Sequence, residues 1–164
     1  MPTESRSIGP IELTEPALVD WGVRIGASSR TPVVLALRGD LGAGKSVLAR
    51  AVARGAGVRG PMPSPTFNLV FVYPADDGVV VRHLDLYRLR EPEEVRELGW
   101  RELGTGEEIV IIEWPERAEA LLPPDRWDIW LDTPDPTRPV RMVRAERRGA
   151  APALAAPAPA EPAP

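Results

Sequence analysis

The only lysine of the chain stands in a segment whose residue types and spacing suit phosphate binding. Residues Gly39 to Ser46 read GDLGAGKS and match the pattern G-x-x-x-x-G-K-[ST] at every specified position. The glycines allow the backbone to curl so that successive N–H groups point inward and form an anion nest. The ammonium group of Lys45 can reach the β- and γ-phosphates of a nucleotide, and the hydroxyl of Ser46 can ligate Mg²⁺. Arginine is a wide planar fork and does not fit the same cradle.

The residues on both sides of this segment predict a strand, a loop and a helix. Val33 to Leu37 is a continuous apolar run, as expected of a strand buried on both faces. After Lys45, apolar residues recur on one face of a helix that ends near Gly55 and Gly57. A phosphate in the loop would therefore lie at a helix N-terminus, where free N–H groups and the helix dipole favour negative charge.

Two carboxylates end apolar runs and are candidate metal ligands or catalytic groups. Glu113 follows the apolar run 109–112, and Asp85 ends the run 79–84. Ligands of open α/β sheets bind outside the carboxyl ends of the strands, so both side chains would face the nucleotide. Either residue could hold Mg²⁺, directly or through water, or could orient an attacking water. Taken singly, each could also be a cap or turn residue.

Three further polar residues have open roles. A mobile segment carrying Ser64 and Thr66 could bring a hydroxyl group to the γ-phosphate and Mg²⁺. A proline-rich turn with local hydroxyl capping explains the same residues equally well. His83 is the only histidine, and its place near a strand end favours a packing or hydrogen-bonding role over that of a base.

The remaining pattern predicts an α/β domain of the P-loop NTPase type. Thr14 and Pro16 suit the start of an amphipathic helix from Glu15 to Ser28. The fold class follows as a three-layer domain, with a mixed sheet that is parallel at its centre and antiparallel at its margins. The other predicted elements are a hairpin of strands 68–73 and 79–85, a short acidic helix 92–98, and a final antiparallel pair 127–132 and 140–145.

Composition predicts one domain in 1–147 and a disordered tail in 148–164. The chain has 164 residues and 43% hydrophobic content, enough for a single core. Alanine and proline dominate the last segment, which offers little to bury and blocks regular hydrogen bonding.

The net charge of −4 argues against a protein that clamps nucleic acid by itself. Without cysteine there is no thiolate metal site, and no apolar run approaches membrane-spanning length. We therefore expect a cytoplasmic protein with no membrane contact.

Four blocks of the sequence, taken in order and spacing, resemble the bacterial TsaE (YjeE) family of small ATPases. The blocks are GDLGAGK from Gly39, SPTF from Ser64, HLDLYR from His83 and IEWP from Ile112. The resemblance covers roughly residues 8–145. Ser46 stands where the family more often has threonine, which keeps the ligand hydroxyl, and the C-terminal segment is additional.

The resemblance implies ATP and Mg²⁺ as cofactors and assigns roles to individual positions. Ser46 and Glu113 would be the Mg²⁺ ligands, and Asp85 would be needed for hydrolysis. Glu15 would lie near the adenine, and Arg138 would reach the nucleotide from the turn before the last strand. The ATP phosphates would be held by Leu41, Gly42, Ala43, Gly44, Lys45 and Ser46.

The resemblance also implies a partner and a pathway. Family members support the formation of threonylcarbamoyladenosine (t6A) in tRNA by acting on a heterodimer of TsaB and TsaD. Contact with tRNA would occur only through that complex, and the ATPase would have low intrinsic activity with a partner-gated site.

The sequence excludes one rival and leaves two others. A GTPase reads guanine with an Asn-Lys-x-Asp motif, which would need a second lysine. A P-loop small-molecule kinase is the alternative, because Arg88, Arg90, Arg96 and Arg101 could furnish a lid over the phosphates. A nucleotide-gated binding module without useful turnover is the third interpretation.

Overall fold

A computed structural model describes residues 2–63 and 69–158 and shows an α/β domain built on one large sheet. The strands are β1 (Pro2–Thr3), β2 (Ser7–Thr14), β3 (Val33–Arg38), β4 (Val70–Pro74), β5 (Val80–Asp85), β6 (Glu108–Glu113), β7 (Arg126–Asp132), β8 (Val140–Arg148) and β9 (Leu154–Ala155). The α-helices are α1 (Glu15–Ser28) and α2 (Lys45–Ala56). Short 3₁₀ segments cover Asp76–Gly78, Pro92–Leu98, Trp100–Glu102 and Pro115–Leu121.

The large sheet has the predicted parallel centre and antiparallel margins. Its seven strands follow the order β2-β8-β7-β3-β6-β5-β4. Strand β3 pairs in parallel with β6 and β7, and β6 pairs in parallel with β5. Strand β4 at one margin, and β8 and β2 at the other, are antiparallel. Because β3 and β6 lie side by side, the segment after β3 and the end of β6 meet at one edge of the sheet.

Two separate apolar clusters make the domain a three-layer structure, as predicted. On one face, α1 and α2 bury Leu18, Trp21 and Leu48 against side chains of β3, β7 and β8. On the other face, the 3₁₀ segments cover β3, β5 and β6, with Val95 and Trp100 in that cluster. Strand β3 contributes to both clusters in alternation, which explains its continuous apolar sequence.

The first helix forms as its sequence predicts, and it packs closely on the second. The Thr14 side chain accepts a hydrogen bond from the Ala17 N–H, and proline lies in the first turn. Gly26 faces α2 so closely that a Cβ there would lie 2.0 Å from the Val52 carbonyl oxygen. The two helices thus approach with backbone against backbone at this point.

The C-terminal segment corrects the prediction of a disordered tail in 148–164. Strand β8 continues to Arg148, and Leu154 and Ala155 then form β9, which pairs with β1. Ala151, Leu154 and Ala155 are almost fully buried. The Trp21 indole N–H donates to the Ala155 carbonyl at 2.7 Å, and the Trp127 indole N–H donates to the Pro152 carbonyl at 2.8 Å. Proline lacks an N–H but keeps a carbonyl oxygen that can accept a hydrogen bond. Because the two indole N–H groups need acceptors, this alanine- and proline-rich segment packs against the domain as far as residue 155. Residues 159–164 lie outside the described residues.

No helix in the described part of the chain has the length and apolar character needed to cross a membrane.

Candidate nucleotide site

The phosphate-binding motif lies in the predicted strand–loop–helix context. Strand β3 ends at Arg38, the loop follows, and α2 begins at Lys45. Gly42 and Gly44 have φ angles of 81° and 108°, in the left-handed region that glycine adopts at no steric cost. The Ala43 N–H donates to the Asp40 carbonyl at 3.0 Å and closes the turn. The loop therefore precedes a helix N-terminus, which favours an anion.

The loop opens onto a cleft of about 240 Å³ that gathers most of the predicted site residues. The cleft lies at the edge of the sheet where β5 and β6 end. Its walls are formed by the loop, the first turn of α2, the last residues of β5 and β6, two residues that follow these strands, and one residue of β8. The lining residues are Leu41, Gly42, Gly44, Lys45, Ser46, Val47, Asp85, Tyr87, Glu113, Trp114 and Arg141.

Lys45 is 5% exposed and is held above its own loop. Its ammonium group donates to the carbonyls of Gly39 and Asp40, the second at 3.0 Å. The same nitrogen lies 3.9 Å from the ring centroid of Trp114. Burial lowers the pKa of Lys45, although nearby carboxylates, Glu113 first among them, oppose this effect. The lysine is thus placed as a fixed cation beside the anion nest.

Glu113 is the most buried carboxylate of the cleft, at 2% exposed, and it lies beside Ser46. The Ser46 hydroxyl donates to Glu113 Oε2 at 3.3 Å. Glu113 Oε1 has no hydrogen-bond partner among the described residues. His83 Nε2, also buried and without a partner there, lies 3.7 Å from Oε1, too far for a hydrogen bond. Burial disfavours the carboxylate, but His83, Ser46 and Lys45 outweigh burial and lower the pKa of Glu113.

Asp85 stands next to Glu113 at the end of the neighbouring strand. The two residues are partners in the parallel pairing of β5 and β6. Asp85 Oδ1 accepts a hydrogen bond from the Tyr87 N–H at 3.0 Å. Burial, followed by the neighbouring Glu113, raises the pKa of Asp85. The pKa of Asp85 is therefore shifted in the opposite direction to the pKa of Glu113.

The donor set fits Mg²⁺ bound together with a nucleotide. Mg²⁺ prefers oxygen ligands and in nucleotide sites uses one or two protein groups, with phosphate oxygens and water completing the set. A serine hydroxyl and a buried carboxylate with one unpartnered oxygen supply such groups. Within the described ranges, no cluster of three or more histidine, cysteine, aspartate or glutamate side chains forms a self-sufficient metal site.

A second cavity, of about 630 Å³, adjoins the phosphate loop and gathers two more of the predicted residues, whereas Ala43 is buried and lines neither cavity. Glu15 and Arg138 both line it, together with Gly42 of the loop. Arg138 forms a two-pronged ion pair with Glu12, at 2.8 and 3.0 Å. The structure therefore places Glu15 and Arg138 together in the cavity beside the loop, where the Arg138 guanidinium is bound by the Glu12 carboxylate.

Sequence reasoning missed Arg141 and Tyr87. Arg141 lines both cavities, and its Nε donates to the Ala43 carbonyl at 2.8 Å. The two residues are 98 positions apart, and no local pattern links them. Tyr87 packs against Trp114 with ring centroids 4.9 Å apart. Its position two residues after Asp85, inside the block HLDLYR, was the available signal.

Trp114 adopts a backbone conformation that is unusual for its residue type. Its φ and ψ angles are 56° and 48°, in the left-handed region. For a residue with a Cβ this costs about 1–2 kcal/mol, and such strain clusters at functional sites. The turn places the indole ring over the ammonium of Lys45.

Ser64 and Thr66, the candidate hydroxyl donors, lie outside the described residues.

Several curated proteins are similar to this chain in sequence. The chain is similar to the tRNA threonylcarbamoyladenosine biosynthesis protein TsaE of Haemophilus influenzae, with 36% identity over 117 residues, or 71% of this chain and 73% of the relative. The corresponding protein of Bacillus subtilis is 38% identical over 97 residues, which span 58% of this chain and 59% of the relative. The one from a Nostoc species is 40% identical over 103 residues, or 60% and 62% of the two chains.

The fold also has a counterpart of known structure. The crystal structure of YdiB from Bacillus subtilis superimposes with a TM-score of 0.68 and covers 85% of this chain and 86% of its own. At 24% identity this likeness establishes the fold alone. The sequence model of the family described as threonylcarbamoyl adenosine biosynthesis protein TsaE matches residues 13–140. From this match and the relatives above, the chain belongs to the TsaE family.

Proposed function

We propose that this protein is an ATP-binding, Mg²⁺-dependent P-loop ATPase that supports t6A modification of tRNA. The observation that carries the proposal is the convergence of Lys45, Ser46 and Glu113 at one helix N-terminus, beside a loop of left-handed glycines. A nucleotide triphosphate is the ligand for which a backbone nest, a fixed ammonium and a hydroxyl–carboxylate pair are complementary.

Each side chain has a distinct role in the proposed reaction. Lys45 and the N–H groups of the loop would bind the β- and γ-phosphates and stabilise charge that develops on them. Ser46 and Glu113 would hold Mg²⁺, which neutralises phosphate charge when bound. Asp85, with its raised pKa, is suited to accept a hydrogen bond from the attacking water and fix its direction. Phosphoryl transfer requires positioning and electrostatic stabilisation more than covalent chemistry, and these are the contributions that the four side chains would make.

Membership of the TsaE family supports the role in t6A biosynthesis. The proposed partner is a TsaB–TsaD-type heterodimer, and hydrolysis of ATP would act on that complex. The acidic balance of the chain, with net charge −4, is consistent with indirect contact to tRNA. A cytoplasmic location is part of the same proposal. A pull-down with the partner complex under ATP, ADP and no nucleotide tests the assembly, and binding that does not depend on nucleotide would contradict a gated role.

The described residues around the cleft do not favour the kinase alternative. The cleft lining contains none of Arg88, Arg90, Arg96 and Arg101, the arginines that could have formed a lid. Release of phosphate from ATP without any added acceptor would support the ATPase. Turnover that appears only with a metabolite would support the kinase.

The proposal is tested by replacing the lysine. Lys45→Ala should abolish ATP binding measured by calorimetry, because it removes the cation of the nest. Lys45→Arg should be nearly as damaging, since the planar fork cannot replace a compact ammonium. Arg59→Ala is the matched control, because Arg59 is 87% exposed and lies outside both cavities. An affinity for ATP equal to the parent's in Lys45→Ala would overturn the nucleotide site.

A further inference from the structure

Arg141 occupies an unusual place for a charged residue of the sheet. It is the first of three residues of β8, with Val143 and Ala145, that alternate toward the face carrying α1 and α2. Val143 and Ala145 are buried in the apolar cluster of that face. Strand β8 runs antiparallel to β7, so its first residues lie at the carboxyl ends of the parallel strands. Arg141 therefore lies on the same face as the buried Val143 and Ala145 but at the end of the strand, where it contacts the phosphate loop.

The contacts of Arg141 use only part of its hydrogen-bonding capacity. Its Nε donates to the carbonyl of Ala43 at 2.8 Å, which fixes the guanidinium beside the loop. A guanidinium has five N–H donors, and the four on the terminal nitrogens have no hydrogen-bond partner among residues 2–63 and 69–158. Among the described residues Arg141 forms no ion pair with a carboxylate, whereas Arg138, three residues earlier, is paired with Glu12. In the part of the chain that the structure describes, Arg141 is thus a cation without a carboxylate partner, and it lies next to the phosphate loop.

The position of Arg141 between the two cavities indicates which part of a ligand it would meet. It lines the cleft that contains Lys45, Ser46 and Glu113, and it also lines the cavity that contains Glu15. If the β- and γ-phosphates lie over Lys45 and the nucleoside lies beside Glu15, the phosphate nearest the nucleoside passes Arg141. A planar guanidinium is suited to two oxygens of one phosphate.

We infer that Arg141 is a nucleotide-binding residue that contacts the phosphate nearest the nucleoside, and that Arg138 does not have this role. This inference rests on the proposed nucleotide site and extends it. The phosphate concerned is present in both ATP and ADP, so Arg141 contributes equally to the affinity for both nucleotides. Its bond to Ala43 keeps the guanidinium in place before the ligand arrives, which reduces the entropy lost on binding.

The test compares Arg141→Gln with Arg138→Gln, each measured by calorimetry with ATP and with ADP. Arg141→Gln should weaken both affinities by about tenfold or more and by a similar factor, because a charge-assisted contact to phosphate is lost. Arg138→Gln should change them by less than about twofold, since an exposed ion pair contributes little. An Arg141→Gln affinity within twofold of the parent, an equal loss in Arg138→Gln, or a loss confined to ATP would each overturn the inference.

A second measurement separates direct binding from a purely structural role through Ala43. Each contact between opposite charges makes affinity more sensitive to salt. Arg141→Gln should therefore show a shallower dependence of the ADP dissociation constant on salt concentration than the parent. An unchanged slope would mean that Arg141 acts only by holding the loop, and it would contradict the inference. Arg141→Lys, which keeps the charge, should keep the parent's salt slope. Lys45→Ala serves as reference, because binding that survives in that variant would refute the nucleotide site itself and not this role of Arg141.

Discussion

Asp85 and Glu113 lie directly opposite each other in the parallel pairing of β5 and β6, yet their pKa values shift in opposite directions. Glu113 is surrounded by His83, Ser46 and Lys45, which favour its carboxylate. Asp85 is held by burial and by the neighbouring negative charge in a state that binds a proton more readily. Two carboxylates in one cleft with separated proton affinities are suited to different tasks.

This difference predicts distinct defects in two variants. Glu113→Gln should weaken Mg²⁺-dependent binding of ATP as well as turnover, because it removes the charge beside Ser46. Asp85→Asn should lower hydrolysis while leaving MgATP affinity within about twofold, since Asp85 would act on the water or on a contact beyond the metal ligands. Titration of Mg²⁺ against ATP binding in both variants measures the separation. A larger Mg²⁺ defect in Asp85→Asn would require the two roles to be exchanged.

The C-terminal segment should contribute to stability. Leu154→Ala removes a fully buried side chain and should lower the free energy of unfolding by about 3 kcal/mol. Denaturation by urea, followed by tryptophan fluorescence, measures this effect. Ala158→Ser, at an exposed position of the same segment, is the control and should be neutral. Equal stability of Leu154→Ala and the parent would show that the segment does not pack on the domain in solution.

A buried carboxylate on the sheet predicts a pH-dependent contribution to stability. Asp128 is 1% exposed and pairs with Arg38, Arg126 and Arg148. Burial raises its pKa, but the three arginines outweigh burial and lower it. Because the folded pKa lies below the unfolded value of about 3.9, this stabilisation is present above that pH and is lost as the pH falls through the folded pKa.

Asp128→Asn should therefore be destabilised by about 3 kcal/mol at pH 7, since three arginines lose their common anion. The difference from the parent should persist to pH 5 and shrink below about pH 4, because the Asp128 carboxylate of the unfolded parent then takes up a proton more readily than that of the folded parent. Urea denaturation at these pH values provides the measurement. Asp132→Asn, an exposed position on the same strand, should show no such dependence. A difference that stays constant down to pH 3 would refute the ionic explanation.

The close contact of the two helices can be tested at Gly26. A Cβ at this position would overlap the Val52 carbonyl and would also lie 2.7 Å from the Ala56 nitrogen, and backbone atoms cannot rotate away. Gly26→Ala should lower the free energy of unfolding by at least about 2 kcal/mol. Gly106→Ala is the matched control, because a Cβ there meets no atom within 4 Å. Equal stability of the two variants would show that the helices separate without cost.

Local sequence signals predicted the centre of the fold. These signals each extend over only a few consecutive residues, so they can be recognised in the sequence. They are the apolar runs of β3 and β6, the helix cap at Thr14 and the glycine loop before Lys45. Strand β2 was missed because Gly9 and Pro10 interrupt its alternating pattern. The predicted acidic helix 92–98 is present as a 3₁₀ segment.

The failures concern partners that are distant in sequence. From its composition the C-terminal segment resembles a disordered tail. The segment itself does not reveal that its carbonyl groups accept hydrogen bonds from the distant Trp21 and Trp127. Arg141 was missed for the same reason, since its contact with Ala43 depends on the sheet order β8-β7-β3. That Arg138 reaches the nucleotide stays a prediction, and no signal in the sequence indicated its ion pair with Glu12.

The backbone contact at Gly26 restrains the two helices that begin beside the cavities. Helix α1 begins at Glu15, beside the larger cavity, and α2 begins at Lys45, beside the cleft. With no side chain between the helices at this point, neither can slide along the other without a steric clash. This contact restrains the separation of the two helix starts, so we expect adjustment to a longer or shorter ligand to occur in the loops 39–44 and 133–139.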